Sequence, residues 1–209
     1  NHKVLRVEII DVNNEDVYCM TVDGINEQND RHNFAILSFD MNGNVDKSGI
    51  FVKNSYEEDF FIPIRNDKGM KGETLPGACL ALDTKIPLLD GRSLMLSEII
   101  KEYEDGKKLE TYSINPETGE IVPGIISWAG VTRKNTQVIK IILDNGESIV
   151  CTPDHKFPTK FNGKKEAKDL KIGESMWAFN KKFEKIKGSG KKRERNKYEM
   201  IFDHKKNDW

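Results

Sequence analysis

Two dipeptides in this chain carry groups that could open or close a backbone amide. Asn54-Ser55 places a side-chain amide before a hydroxyl nucleophile, and Ala78-Cys79 places a thiol at the head of a β-rich segment. Together these are the groups needed to cut and rejoin a polypeptide by acyl transfer. Other reactive types lie nearby: Lys53 precedes Asn54, His32 sits in HNFA, Cys19 sits in VYCMTV, and Thr152 and His155 form a T-x-x-H. Taken singly, each has an ordinary reading. Asn-Ser is a turn, His32 a strand histidine, and Cys19 and Cys151 are small core residues.

The elements that must position these groups are strands. Lys3–Asp11 and Asp16–Asp23 alternate polar and apolar, the second with Val17, Cys19 and Thr21 on one face and Tyr18, Met20 and Val22 on the other. Arg31–Ser38 and Gly49–Lys53 read as further strands, separated by an Asn42-Gly43 turn signal. The stretch 55–78 changes character, being acidic, then aromatic, then rich in Pro and Gly, and reads as a linker. From Cys79 onward the pattern predicts a strand at the cysteine, one short helix over Leu94–Tyr103 with Ser97 as a possible cap, and strands at Glu110–Ile114, Glu120–Val131, Thr136–Leu143 and Glu147–Cys151. Asp144-Asn145-Gly146 carries a type I′ hairpin signal, and strands over His155–Thr159 and Glu174–Asn180 complete the set.

Composition limits the classes. The chain has 209 residues, 37% hydrophobic and 32% charged, with a net charge of −1. That is enough for a real core. No run approaches the roughly 18 apolar residues of a membrane span, and Asn1–Ile10 lacks a signal-peptide pattern. The three cysteines are odd in number and without metal-ligand spacing, which favours a reducing, cytoplasmic setting over a disulfide scaffold. Residues 181–209 hold eleven Lys/Arg against five Asp/Glu and read as a solvated basic tail.

In combination the motifs resemble the conserved blocks of inteins, with the C-terminal half preceding the N-terminal half. VYCMTVDG…HNFA resembles the block usually written VYDLTV…HNFA, and GIFVKNS resembles GIxVHNS, where the intein ends at Asn. CLALDTKIPLLDG…LSEI resembles the first block, and GESIVCTPDHKFPT the T-x-x-H block. Two positions depart from the pattern: Lys53 stands where His is usual, and Cys19 where an acidic residue is usual. Phe157 stands where a subclass lacking the N-terminal nucleophile tends to carry Trp, so Phe157 and Cys79 favour the ordinary class. The resemblance implies an all-β Hint horseshoe of short antiparallel hairpins, formed jointly by residues 1–54 and 79–180. Residues 55–78 are then flanking (extein) sequence; EDFFIPIR…ETLPGA also resembles a short segment of tailed-phage portal proteins. Residues 181–209 are then a basic tail, the natural edge of a split half, or the stump of an insertion. No endonuclease motif is present.

The roles implied are those of single-turnover, autocatalytic splicing without cofactor or metal. Cys79 forms a thioester with Ala78, Ser55 takes the acyl group, and Asn54 cyclises. His155 acts as general acid and base, Thr152 stabilises the oxyanion, and His32 assists Asn54 with Lys53 beside it. Cys19 either tunes the junction or takes acyl transfers itself. The implied partners are a complementary intein half, in the same chain or another, and the flanking polypeptide; nucleic acid and membrane are not expected. Such an order arises in a ring-forming chain, in a piece lying between two different split inteins, or by engineered permutation. The alternatives are a hedgehog-type self-cleaving Hint domain, an inactive precursor or an inert β-domain.

Overall fold

The computed structural model describes residues 2–24, 33–39, 45–53, 79–185 and 197–209. Thirteen strands are formed among them: β1 (His2–Gly24), β2 (Asn33–Phe39), β3 (Val45–Lys53), β4 (Lys85–Pro87), β5 (Ser93–Met95), β6 (Glu110–Ile114), β7 (Ile121–Leu143), β8 (Ser148–Cys151), β9 (Lys156–Pro158), β10 (Lys164–Glu166), β11 (Ser175–Met176), β12 (Ala178–Lys185) and β13 (Lys197–Ile201). One α-helix, α1 (Leu96–Glu104), and a 3-10 turn at Ala167–Asp169 accompany them. The fold is all-β, a curled antiparallel sheet consistent with the Hint horseshoe. No helix among the described residues is long and apolar enough to cross a membrane.

The sheet interleaves the two sequence segments. Its order is β11-β1-β7-β8-β2-β3-β12-β13, so β1 and the β2-β3 pair, from residues 2–53, are each flanked on both sides by strands from beyond residue 79. Each segment therefore supplies the edge partners that the other lacks. β2 and β3 show how the residues dictate this. Phe34 and Ile36 of β2, with Ile50 and Val52 of β3, enter the large core beside Leu80, Ile86 and Phe157. The alternate residues Ala35, Leu37 and Phe51 face a second cluster with Tyr112, Trp177 and Phe179, where Phe51 meets Phe179 edge-on at 5.8 Å. Strands apolar on both faces belong in the middle of a sheet covered on both sides.

Two buried polar anchors join the segments. Asn33 of β2 donates to the Ile114 carbonyl at 2.9 Å and accepts from the Ile114 N–H and the Ser113 hydroxyl of β6 at 2.9 and 3.0 Å. Glu147 accepts from the Ser48 hydroxyl of β3 at 2.7 Å and also from Ser38 of β2. Both are polar groups whose burial is compensated by bonds across the seam.

Five elements differ from the sequence reading. The strand expected to open at Cys79 is only a bridge at Leu80, followed by a turn before β4. The expected strand pairs Lys3–Asp11/Asp16–Asp23 and Glu120–Val131/Thr136–Leu143 are single long strands, β1 and β7, paired from Val4 opposite Leu143 to Gly24 opposite Gly124. The polar inserts at 11–15 and 132–136 fall where the register shifts, because a bulge bends a ladder without ending it. The hairpin at Asp144–Gly146 is not type I′. Only Gly146 has positive φ (83°), and Leu143 N–H bonds Glu147 O at 2.8 Å, giving a three-residue loop with a glycine bulge. Ser97 lies inside α1 and does not cap it; the Glu98 carboxylate instead accepts the Met95 N–H at 2.7 Å.

The fifth difference is the tail. The chain continues past 180 as β12, which pairs with β13 from Lys181 opposite Ile201 to Lys185 opposite Lys197. Trp177 then packs on His204 at 5.2 Å and Phe202 on Trp209 at 5.5 Å, with the Lys182 ammonium 4.3 Å from the Trp209 ring. Aromatic residues thinly spread in a basic sequence are gathered here onto one face. The Asn42-Gly43 turn and residues 186–196 lie outside the described residues.

Replacing Asn33 by Ala leaves an N–H, a carbonyl and a hydroxyl of β6 without that partner. Urea denaturation should show a loss of about 3 kcal/mol, with the m-value unchanged.

Candidate functional site

The site is built around a two-residue bridge. Leu80 exchanges both main-chain hydrogen bonds with Tyr18 of β1, at 2.8 and 3.0 Å, and bridges Cys151 of β8 on its other side. The pleat then sorts the neighbours. Leu80, Met20 and Cys151 face the main core, with Tyr18 packed against it, while Cys79 faces the other way with Val17, Val138 and Val150. One antiparallel step from the Tyr18–Leu80 pair sets Cys19 across from Cys79. Cys19, Cys79 and Cys151 are all buried free thiols, and the Cys19 thiol donates to the Met20 carbonyl at 3.3 Å.

The backbone and the sulfur of Cys79 are both held. Its N–H, the nitrogen of the Ala78–Cys79 peptide, donates to the Thr152 hydroxyl at 2.9 Å, and its carbonyl accepts the Thr152 N–H at 2.9 Å. Its Sγ lies 2.7 Å from the Thr132 hydroxyl of β7. The observed contact of Thr152 is with the Cys79 nitrogen; the Ala78 carbonyl, where the sequence reading placed its oxyanion role, lies outside the described residues. Thr132 carries no motif. Its only trace in the sequence is that it opens the polar run TRKNTQ between the more apolar ends of β7.

Thr152 follows the end of β8, and His155 follows in a tight turn closed by His155 N–H to Thr152 O at 3.1 Å. Ala167 and Lys168, in the 3-10 turn, donate to the carbonyls of His155 and Pro153 at 2.8 and 2.9 Å and fasten that turn. His155 is fully buried beside the Phe157 ring at 5.2 Å, and neither ring nitrogen has a hydrogen-bond partner among the described residues. Arg133 pairs with Asp154 at 2.6 Å, tying β7 to the same turn.

The electrostatics follow from desolvation. Burial pushes the Cys79 thiol up, opposed by the Thr132 hydrogen bond and the Arg133 charge. Burial likewise lowers His155 to about 4, with the Asp154 carboxylate and the Cys79 backbone acting weakly in the other direction. The imidazole is therefore neutral at pH 7. For Asp154, burial opposes ionisation, but the Thr152 and Arg133 hydrogen bonds outweigh it and hold the carboxyl below its ordinary range.

Of the residues named from sequence, Cys79, Thr152 and His155 come together, with Cys19 opposite by register. Lys53 ends β3, buried, opposite Asn33, on the strand that packs against β9 just after His155. Asn54, Ser55, His32 and Ala78 lie outside the described residues.

No family model matches the chain. It is similar to a DNA gyrase subunit of Synechocystis sp., 37% identical over 133 residues, which is 64% of this chain and 12% of that protein. It is also similar to elongation factor 2 of Methanopyrus kandleri, 32% identical over 120 residues, covering 47% of this chain and 9% of that protein. A third relative is the replication factor C small subunit of Methanocaldococcus jannaschii, 33% identical over 102 residues, 49% of this chain and 5% of that protein. The chain thus spans an eighth or less of the length of these relatives.

The His155 shift has a consequence for stability. With a folded value near 4 and an ordinary value of 6.5, the unfolded chain binds the proton first. Stability is therefore whole above about pH 6.5 and falls as pH drops towards 4, by on the order of 3 kcal/mol. In an Asn54→Ala, Cys79→Ala background, urea titrations at pH 7 and 4.5 should show this loss, and His155→Gln should remove most of it.

Proposed function

We propose that this chain is a protein-splicing element acting by sequential acyl transfer, with its C-terminal half placed first. One observation carries the reading: the nitrogen and the sulfur of Cys79 each meet a buried hydroxyl, at 2.9 and 2.7 Å, in a pocket that also holds the buried imidazole of His155. A buried N–H needs an acceptor in any cysteine, but a structural cysteine does not need a hydroxyl at its sulfur as well. An N-to-S acyl shift uses both.

Cys79 sulfur attacks the Ala78 carbonyl carbon; a C–S bond forms and the C–N bond breaks. The thiol proton ends on the departing nitrogen, and His155, entering neutral, can take and return it. The bond from Cys79 N–H to Thr152 strengthens as that nitrogen gains positive charge, so it favours the transition state over the ground state. Ser55 oxygen then displaces the thiolate, Asn54 cyclises on its own carbonyl to release the ester, and the ester rearranges to an amide. Joining Ala78 to Ser55 within one chain closes a ring of 24 residues.

Similarity to a gyrase subunit, an elongation factor and a replication factor subunit, each over a small part of its length, supports a self-contained element carried within different hosts. The interleaved sheet supports pairing of the two segments with each other, as does their opposite charge: −4 over 1–54 against +5 over 79–209.

Intact mass after purification, with and without dithiothreitol, tests this. The expected species is a cyclic 55–78 peptide one water lighter than the linear form. In Asn54→Ala, release at residue 54 should stop while thiol-induced cleavage after Ala78 persists. Cleavage after Ala78 with no dependence of release on Asn54 would favour the hedgehog-type reaction. A full-length mass unchanged by dithiothreitol would mean an inert domain.

A further inference from the structure

The Thr132 hydroxyl is 2.7 Å from Cys79 Sγ and 3.1 Å from the Val17 carbonyl oxygen, and the residue is 6% exposed. A hydroxyl has one proton and two lone pairs. With a neutral thiol, S–H donates to Thr132 oxygen and Thr132 donates to Val17 O. With a thiolate, the same hydroxyl turns its proton to the sulfur. The backbone is shaped for this. Val17 opposes Arg133 and Tyr18 opposes Val131, so Thr132 is the extra residue of a β-bulge. A bulge re-aims a side chain that regular pairing would direct elsewhere. Arg133, the next residue, is fixed by Asp154. The bulge is thus pinned on both sides of the threonine: by Val17 within the ladder and by the T-x-x-H turn beyond it.

We propose that Thr132 is a catalytic residue for the acyl shift at Cys79, stabilising the sulfur as an anion by switching its hydroxyl proton from the Val17 carbonyl to Cys79 Sγ. This rests on the splicing reading for the reaction that it serves, but the contact itself does not. The step is balanced without a co-reactant. The proton leaving sulfur is the one that the Cys79 nitrogen carries after C–N cleavage, and Thr132 keeps its own. The hydroxyl counters the cost of charging a sulfur buried among Val17, Val138 and Val150.

The test uses the full chain with Asn54→Ala, so that the reaction stops after the first step. Single-turnover cleavage by dithiothreitol is followed against pH for the parent, Thr132→Val, Thr132→Ala and Thr132→Ser, with circular dichroism checking the fold. Thr132→Val keeps the shape without the hydroxyl and should slow cleavage about 10- to 100-fold, with the pH profile moved upward. Thr132→Ser should retain most of the parental rate. Equal slowing by Val and Ser, or a Val variant with the parental rate and profile, overturns the proposal; if the Val variant fails to fold, the Ala variant takes its place in that comparison. The ¹³Cβ shift of labelled Cys79 is titrated in the same variants. A midpoint higher without the hydroxyl supports the proposal, and an unchanged one overturns it. This arm reads out even if the parent does not cleave, an outcome that would count against the splicing reading alone.

Discussion

Everything at the site depends on Leu80 being clamped between β1 and β8. Its two hydrogen bonds to Tyr18 and its bridge to Cys151 fix the backbone of a residue that belongs to no long strand. Because the pleat alternates, burying Leu80 in the core forces Cys79 to the opposite face, against Thr152 and Thr132. Hydrophobic burial of one residue thus aims its neighbour. The two sides of the clamp come from different sequence segments, Tyr18 from the first and Cys151 from the second. The site exists only once the segments have interleaved.

Desolvation is both the cost of this arrangement and its means. A buried thiol is hard to ionise and a buried imidazole hard to protonate, so the resting pocket is neutral. The ionised pair lies at its edge, where Arg133 and Asp154 are partly exposed and so partly solvated. That pair also joins the bulge of β7 to the turn carrying His155. In a low-dielectric pocket each remaining hydrogen bond weighs more than it would in water. Under the proposed reaction, Thr132, which no motif marks, can therefore matter alongside the Thr152 of the T-x-x-H.

Much of the fold was legible because alternation is a local property. Within the described residues, the strands expected at Arg31–Ser38 and Gly49–Lys53 are found as Asn33–Phe39 and Val45–Lys53, and the short helix fell within two residues of α1. The errors share a cause. Polar inserts at 11–15 and 132–136 look like turns locally, and only a partner strand of matching length keeps the ladder running through them. The basic tail looked solvated because its aromatics are sparse, yet Trp177 and β12 give them a surface to cover.

By itself, the sequence marked out candidate groups: the thiol of Cys79, the T-x-x-H of Thr152 and His155, and a pattern of strands around them. Their chemistry belongs to the side chains, and their spacing is written in the chain. Only the tertiary structure decided that Thr152 meets the Cys79 nitrogen, that His155 is buried, and that Thr132 touches the sulfur. Those facts depend on burial and on the register between strands more than a hundred residues apart. Burial and register are set by the packing of the whole sheet, and no local stretch of residues encodes them.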